Sequence, residues 1–95
     1  MYLLNVKATA TDDKLAPVKA SHGDWVKKGF EKGWFLFAGP KTKMSGGIIL
    51  VKAISKMELN DFINEDPYVT ENVATYDVTE FDIKATIPAL DVLKG

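Results

Sequence analysis

Residues 17–32, PVKASHGDWVKKGFEK, constrain the fold of this chain more than any other stretch, because they have the periodicity of an amphipathic helix. Pro17 suits the first helical turn, and Gly33 suits the end of the helix, where the backbone turns left-handed. The spacing of three and four predicts a helix whose apolar face consists of Val18, His22, Trp25, Val26, Gly29 and Phe30.

The segments on either side of this helix predict a mixed α and β chain. Residues 34–38 and 48–53 are apolar and β-leaning, and the turn residues between them, Gly39-Pro40 and Gly46-Gly47, favour a hairpin. The sequence further predicts a strand over 2–9, a loop over 10–16, a helix from 56 to about 64 and a long strand over 74–86, with residues 87–95 unassigned.

The second helix has a clear start and a clear end. Ser55 and Glu58 have the spacing of a capping box, and Pro67 disfavours helical geometry at Asp66. Its predicted apolar side contains Met57, Leu59, Phe62 and Ile63. A further helical turn through Glu71 is compatible with the Asp66-Pro67-Tyr68 turn.

The resulting order, β-α-β-β-α-β, is that of a ferredoxin-like fold, an α+β arrangement with an antiparallel sheet and both helices on one face. We expect residues 1–95 to form a single domain. Strict alternation points Phe35, Phe37, Ile49 and Val51 to one face and Trp34, Leu36, Ile48 and Leu50 to the other. Because both faces are apolar, the sequence predicts a homodimer that packs sheet against sheet.

Charge and composition argue against several classes of protein. The net charge is −1 and all twelve basic residues are lysines, so no basic field favours nucleic acid and no guanidinium is present to clamp an anion. The absence of cysteine and the single histidine, His22, argue against a metal centre. No run of apolar residues is long enough to span a membrane, and the N-terminus does not read as a signal peptide, so we expect a cytoplasmic protein without a membrane partner.

Several of these features together resemble a known family. They are His22 inside the first long helix, Gly33 and Gly39-Pro40 around the second strand, a glycine opening the third strand (Gly46 or Gly47), and the Asp66-Pro67-Tyr68 turn. In order and spacing the chain resembles the YCII-related (YciI-like) family over nearly its whole length. That resemblance implies a dimeric α+β barrel.

The resemblance also implies a site built on a His–Asp pair, which corresponds to His22 and Asp66. The family commonly has a basic residue, usually arginine, three positions before the histidine, and Lys19 stands there in this chain. The family includes members assigned as dehydrochlorinases of chlorinated hydroquinones, and related barrels include lactone isomerases and small monooxygenases. Lys19, Trp25 and Tyr68 are the candidate substrate-binding residues.

These residues support a hypothesis and leave alternatives open. The hypothesis is a small-molecule enzyme without a cofactor, in which His22 performs acid/base chemistry for an elimination, an isomerisation or a hydrolysis and Asp66 orients it. One alternative is a non-catalytic dimer that binds a small ligand or a partner. Another is a small monooxygenase that needs no cofactor. His22 as a structural helix residue and Asp66 as a turn residue also fit the sequence.

Overall fold

A computed structural model describes residues 1–94 of the chain. Four strands and four helices follow one another as β1 (Tyr2–Ala8), α1 (Asp12–Leu15), α2 (Lys19–Glu31), β2 (Phe35–Pro40), β3 (Gly46–Val51), α3 (Lys56–Asn64), α4 (Pro67–Thr70) and β4 (Ala74–Glu80). Short 3-10 segments occupy Ala16–Val18 and Pro88–Leu93.

The strands form one antiparallel sheet in the order β2-β3-β1-β4. This order, together with helices on one face, confirms the predicted ferredoxin-like α+β fold. Trp25 of α2, Phe62 of α3 and Phe35 of β2 pack their rings against one another, with centroids 4.8 to 5.7 Å apart. The core therefore lies between the helices and the face of the sheet that carries Leu4, Val6, Ile49 and Val51.

Two of the predicted signals at helix ends are confirmed. Ser55 and Glu58 form a reciprocal capping box at the start of α3. Gly33 follows α2 with a φ of 75°, which a residue without a side chain adopts readily. The predicted hairpin between the second and third strands is also present.

The predicted loop over residues 10–16 is wrong, because α1 and the 3-10 segment lie there and α2 begins at Lys19 instead of Pro17. Leu15 is almost fully buried, and the backbone N–H groups of Lys14 and Leu15 donate to the carbonyl of Thr11. Burial of one leucine thus orders a segment whose own sequence is polar.

The second strand also differs from its prediction. It continues through Gly39-Pro40, which an edge strand tolerates because the missing N–H of a proline needs no partner there. A bulge shifts the register between Phe35, which pairs with Val51, and Phe37, which pairs with Leu50. Phe37 therefore lies on the outer face, opposite to Phe35, and not on the same face as predicted.

Two further predictions are corrected. Met57 of α3 is 75% exposed and does not contribute to the core. β4 ends at Glu80, not at residue 86, because Glu80 pairs with Tyr2 and the next N–H, that of Phe81, already reaches the carbonyl of Met1. The unassigned stretch 87–95 contains the 3-10 segment up to Leu93, and Gly95 lies outside the described residues.

In residues 1–94, no helix combines the length and the apolar character needed to cross a membrane.

Candidate functional site

His22 and Asp66 meet although they are far apart in the sequence. The Nδ1 atom of His22, in the middle of α2, lies 2.8 Å from Oδ1 of Asp66, at the start of α4. Asp66 is fully buried, and the side chain of His22 is 18% exposed. A buried carboxylate that faces a partly exposed imidazole is the arrangement that orients a histidine for proton transfer.

Local sequence places Asp66 where it is. Pro67 occupies the first turn of α4, and Asp66 is the N-cap, whose Oδ1 accepts a hydrogen bond of 3.1 Å from the N–H of Tyr68. The other oxygen, Oδ2, accepts a hydrogen bond of 2.5 Å from the hydroxyl of Tyr76 in β4. The cap fixes the carboxylate in one orientation, from which it also reaches His22.

The partners of Asp66 determine the proton position on His22. Both oxygens of Asp66 accept hydrogen bonds, Oδ1 from the N–H of Tyr68 and Oδ2 from the hydroxyl of Tyr76, so we infer that the carboxylate has no proton to give and that Nδ1 of His22 donates to Oδ1. In neutral His22 the proton then lies on Nδ1, and the lone pair lies on Nε2. No group in the described part of the chain makes a hydrogen bond with Nε2.

The two tyrosines near Asp66 keep their protons. Burial, and then the negative charge of Asp66, raises the pKa of Tyr76 far above that of a free tyrosine. The same two causes, in the same order, raise the pKa of Tyr68. Tyr76 therefore keeps its proton and donates a hydrogen bond to the carboxylate of Asp66 across the neutral pH range.

Two aromatic rings stack against the imidazole of His22. The ring of Tyr68 lies parallel to that of His22, with centroids 3.8 Å apart and an angle of 3° between the planes. Trp25 lies further away, at 5.8 Å. The stacked phenol restricts rotation of the histidine ring without using either ring nitrogen.

A cavity of about 620 Å³ adjoins this pair. His22, Tyr68 and Lys19 line it, so three of the residues predicted from the sequence lie at one place. The remaining lining comes from the helix side, from β1, β2 and β3, and from the loop between β2 and β3: Val6, Leu15, Gly23, Val26, Ala38, Gly39, Pro40, Lys41, Met44, Ser45, Gly46, Gly47, Ile48 and Ile49.

Two of the predicted residues do not line the cavity. Asp66 lies behind His22 and is not among the residues that line the cavity. Trp25 is buried in the core, where its indole N–H donates to the carbonyl of Phe62 at 2.8 Å. The structure therefore places Trp25 beneath the site, and not at a position where a ligand in this cavity would touch it.

The sequence analysis missed two residues at the site, Tyr76 and Lys41. Tyr76 pairs with Val6 and so points to the helix side of the sheet, which the alternation in 74–80 could have indicated. Lys41 begins the loop between β2 and β3, and no local pattern links it to His22.

A glycine-rich wall closes the cavity on the sheet side. Gly46 has a φ of +116°, and a Cβ there would lie 2.1 Å from the carbonyl oxygen of Val6. At Gly47 a Cβ would lie 2.9 Å from the carbonyl oxygen of Gly39. These two positions need glycine because the backbones of the neighbouring strands approach closely there.

No group of three or more His, Asp or Glu side chains within residues 1–94 is arranged to hold a metal ion. Imidazole is a side chain suited to proton transfer, and His22 supplies one at the cavity wall.

Comparison with known proteins agrees with this fold. The structure is similar to that of 5-chloro-2-hydroxyhydroquinone dehydrochlorinase from Burkholderia phenoliruptrix AC1100 in complex with 2,5-dihydroxybenzoquinone, with a TM-score of 0.68 and 18% identity, covering 86% of this chain and 94% of the other. No curated protein matches the sequence. The profile of the YCII-related domain matches residues 1–82, which include all four strands and the candidate site. The chain therefore belongs to the YCII-related domain family.

Proposed function

We propose that this protein is a small-molecule enzyme that uses His22 as a general acid/base, oriented by Asp66, without a cofactor. The observation that carries the proposal is the 2.8 Å contact between Nδ1 of His22 and the buried carboxylate, on a histidine that also lines a cavity. The contact leaves Nε2 as the nitrogen available for proton transfer.

In the proposed reaction, Nε2 of neutral His22 removes a proton from an acidic position of the substrate. Asp66 stabilises the imidazolium that forms, and its two other donors, the N–H of Tyr68 and the hydroxyl of Tyr76, hold the carboxylate in place. The imidazolium then returns the proton to a leaving group, to another carbon or to solvent. Elimination, isomerisation and hydrolysis all use such a step.

The structural comparison supports elimination as the first reaction to test. The similar solved protein is a dehydrochlorinase in complex with a dihydroxybenzoquinone, a small planar ring. The cavity beside His22, at about 620 Å³, is within the range of roughly 300–1,000 Å³ that is common for small-molecule sites. We therefore propose a small cyclic substrate that Lys19 and Tyr68 contact directly.

The proposal includes a cytoplasmic homodimer. Phe37 is 50% exposed on the outer face of the sheet, where it neighbours Leu50 on β3. Leu3 and Ile48 lie on the same face and are only partly buried. A second copy packed on this face would remove these apolar side chains from water.

A direct test is turnover of chlorinated hydroxyhydroquinones, measured as release of chloride. We expect activity in the wild type and a loss of at least about a hundredfold in His22→Gln, which cannot shuttle a proton, since general acid/base catalysis contributes roughly 10²–10⁴-fold. Asp66→Asn keeps a hydrogen-bond acceptor but removes the charge, and we expect it to lose about tenfold or more. Asp61→Asn, an exposed aspartate of α3, is the matched control and should keep full activity.

The alternative function is a non-catalytic dimer that binds a small ligand. It is favoured by the fact that Asp66 caps α4 and bonds Tyr76, since these contacts also serve stability. A cavity ligand that binds with equal affinity to the wild type and to His22→Gln, together with no turnover of any screened compound, would support this alternative.

A further inference from the structure

The geometry points to a ligand class for this cavity: a small organic anion, such as a carboxylate or a phenolate, whose apolar body lies between Lys19 and Lys41. The inference rests on the proposed function, because it concerns the same cavity, and it names the substrate class for which His22 would act.

The charge of the cavity wall carries the inference. Lys19 and Lys41 are the two residues of unit charge among the lining side chains, and no aspartate or glutamate lines the cavity. The ion pairs in the described part of the chain use other lysines, namely Lys7, Lys56, Lys84 and Lys94. Both ammonium groups are thus available to an incoming anion.

The two lysines approach from different walls. Lys19 stands three residues before His22 on α2, so the two side chains are neighbours on one helix face. Lys41 stands at the start of the loop between β2 and β3, where its N–H donates to the carbonyl of Gly46 at 3.0 Å. That bond fixes the backbone at Lys41, so the second charge is attached to an ordered part of the wall.

Two acidic residues, Asp66 and Asp12, are hydrogen-bonded to residues that line the cavity. Asp66 accepts three hydrogen bonds behind His22 and does not line the cavity. Asp12 accepts a hydrogen bond of 3.0 Å from the hydroxyl of Ser45 and likewise does not line it. Neither carboxylate therefore forms part of the cavity wall.

The rest of the cavity lining favours a ligand whose body is apolar. Apart from the lysines, His22, Ser45 and Tyr68, the wall consists of aliphatic residues, methionine, proline and glycine. A highly phosphorylated ligand needs many donors, and this chain has no arginine to supply a planar clamp. In a ligand with one anionic group on a hydrophobic ring or chain, the anionic group pairs with both lysines and the hydrophobic part covers the apolar wall.

The test uses benzoate and its neutral isostere benzamide as probes, titrated into the whole protein at low salt and followed by amide NMR. We expect shifts at the cavity glycines Gly39, Gly46 and Gly47, and about tenfold tighter binding of benzoate than of benzamide. Lys19→Met and Lys41→Met should each weaken benzoate about three- to fivefold and leave benzamide unchanged, while Lys41→Arg should retain binding.

Matched controls separate a site from a general charge effect. Lys43→Met lies in the same loop and Lys27→Met in the same helix as the two tested lysines, and neither residue lines the cavity. Both controls should bind benzoate as the wild type does. Equal affinity for the two probes, absence of cavity shifts, or an equal loss in Lys43→Met would overturn the inference.

The same titration distinguishes this inference from the proposed catalysis. His22→Gln should keep the preference for benzoate, because the lysines supply it. A preference for benzoate in a protein that turns over no substrate would contradict the catalytic role and leave the anion site standing. Turnover of neutral substrates that Lys41→Met does not impair would contradict the anion site and leave His22 as the catalyst.

Discussion

The hydroxyl of Tyr76 lies 2.5 Å from Oδ2 of Asp66, on the side of the carboxylate that does not face His22. The tyrosine comes from β4 at the edge of the sheet and the aspartate from the start of α4, so this hydrogen bond ties the helix layer to the sheet at the site. It also gives the buried carboxylate a third donor, which a charge without access to water requires.

Tyr76→Phe tests the value of that bond. The variant leaves a buried carboxylate oxygen without a partner, and we expect the free energy of unfolding in urea to fall by about 1–3 kcal/mol. Tyr2→Phe is the matched control, since it removes a hydroxyl that donates to the neutral carbonyl of Ile54 at 2.7 Å. The control should cost about 0.5–1.5 kcal/mol. A larger loss in Tyr2→Phe than in Tyr76→Phe would contradict the assignment.

Stability should fall at alkaline pH, with Tyr76 as one cause. The pKa of Tyr76 is raised in the folded state, so above pH 10 the unfolded chain loses a proton that the folded chain keeps. The unfolded state is then favoured, and the contribution of Tyr76 to the free energy of unfolding decreases by up to about 1.4 kcal/mol per pH unit.

Urea unfolding between pH 9 and pH 11 measures this slope. We expect the free energy of unfolding to fall less steeply with pH in Tyr76→Phe than in the wild type. Tyr2→Phe is the comparison, because the hydroxyl of Tyr2 donates to the carbonyl of Ile54 and not to Asp66. Phenolate absorbance at 295 nm gives an independent reading, because Tyr76 should stay protonated until the protein unfolds. Identical slopes in the wild type and in Tyr76→Phe would contradict the raised pKa.

The sequence predicted those features of the fold that depend on residues close to one another in the chain. The capping box at Ser55, the left-handed Gly33 and the succession of the four strands with α2 and α3 depend on neighbouring residues, and all three are confirmed. The bulge before Phe37 and the end of β4 at Glu80 depend on where a neighbouring strand lies or stops. A single-sequence pattern contains no such information.

The residues of the site also fall into two groups: those that the sequence indicated and those that depend on the pairing of strands. The family resemblance indicated His22 and Asp66, and the structure brings them to 2.8 Å. Lys41 reaches the same cavity only through the pairing of β2 with β3, and Tyr76 reaches Asp66 only through the pairing of β4 with β1. Trp25 fits the helical face that was predicted for it, but periodicity could not tell a core position from a cavity wall.

The tautomer of His22 is a direct prediction from the hydrogen bonds of Asp66. In neutral wild-type protein, the imidazole ¹⁵N shifts should show the proton on Nδ1, because Oδ1 accepts from it. In Asp66→Ala no acceptor remains at this place, and the Nδ1–H form should lose its advantage. The single histidine makes the assignment unambiguous. A proton on Nε2 in the wild type would contradict the arrangement proposed for catalysis.

Glycine substitutions test the wall of the cavity. Gly46→Ala combines a φ of +116° with a Cβ that would overlap the carbonyl of Val6, so we expect a loss of at least about 1–3 kcal/mol in the free energy of unfolding. Gly23→Ala in α2 is the contrasting variant, since a Cβ there meets nothing within 4 Å. It should stabilise the protein by about 0.5–1 kcal/mol, as alanine does inside helices. Equal effects of the two substitutions would contradict the described backbone.

The proposed homodimer can be separated from a monomer by its mass. The chain has a mass of 10.5 kDa, and light scattering after size exclusion should give about twice this value. Phe37→Asp places a charge on the outer face of the sheet, where burying it in an interface between two copies would be costly, so the variant should elute as a monomer. Met57→Asp adds the same charge to an exposed residue on the helix side and should remain a dimer. If Met57→Asp dissociates the protein and Phe37→Asp does not, the interface lies on the helices and the proposed packing of sheet against sheet is wrong.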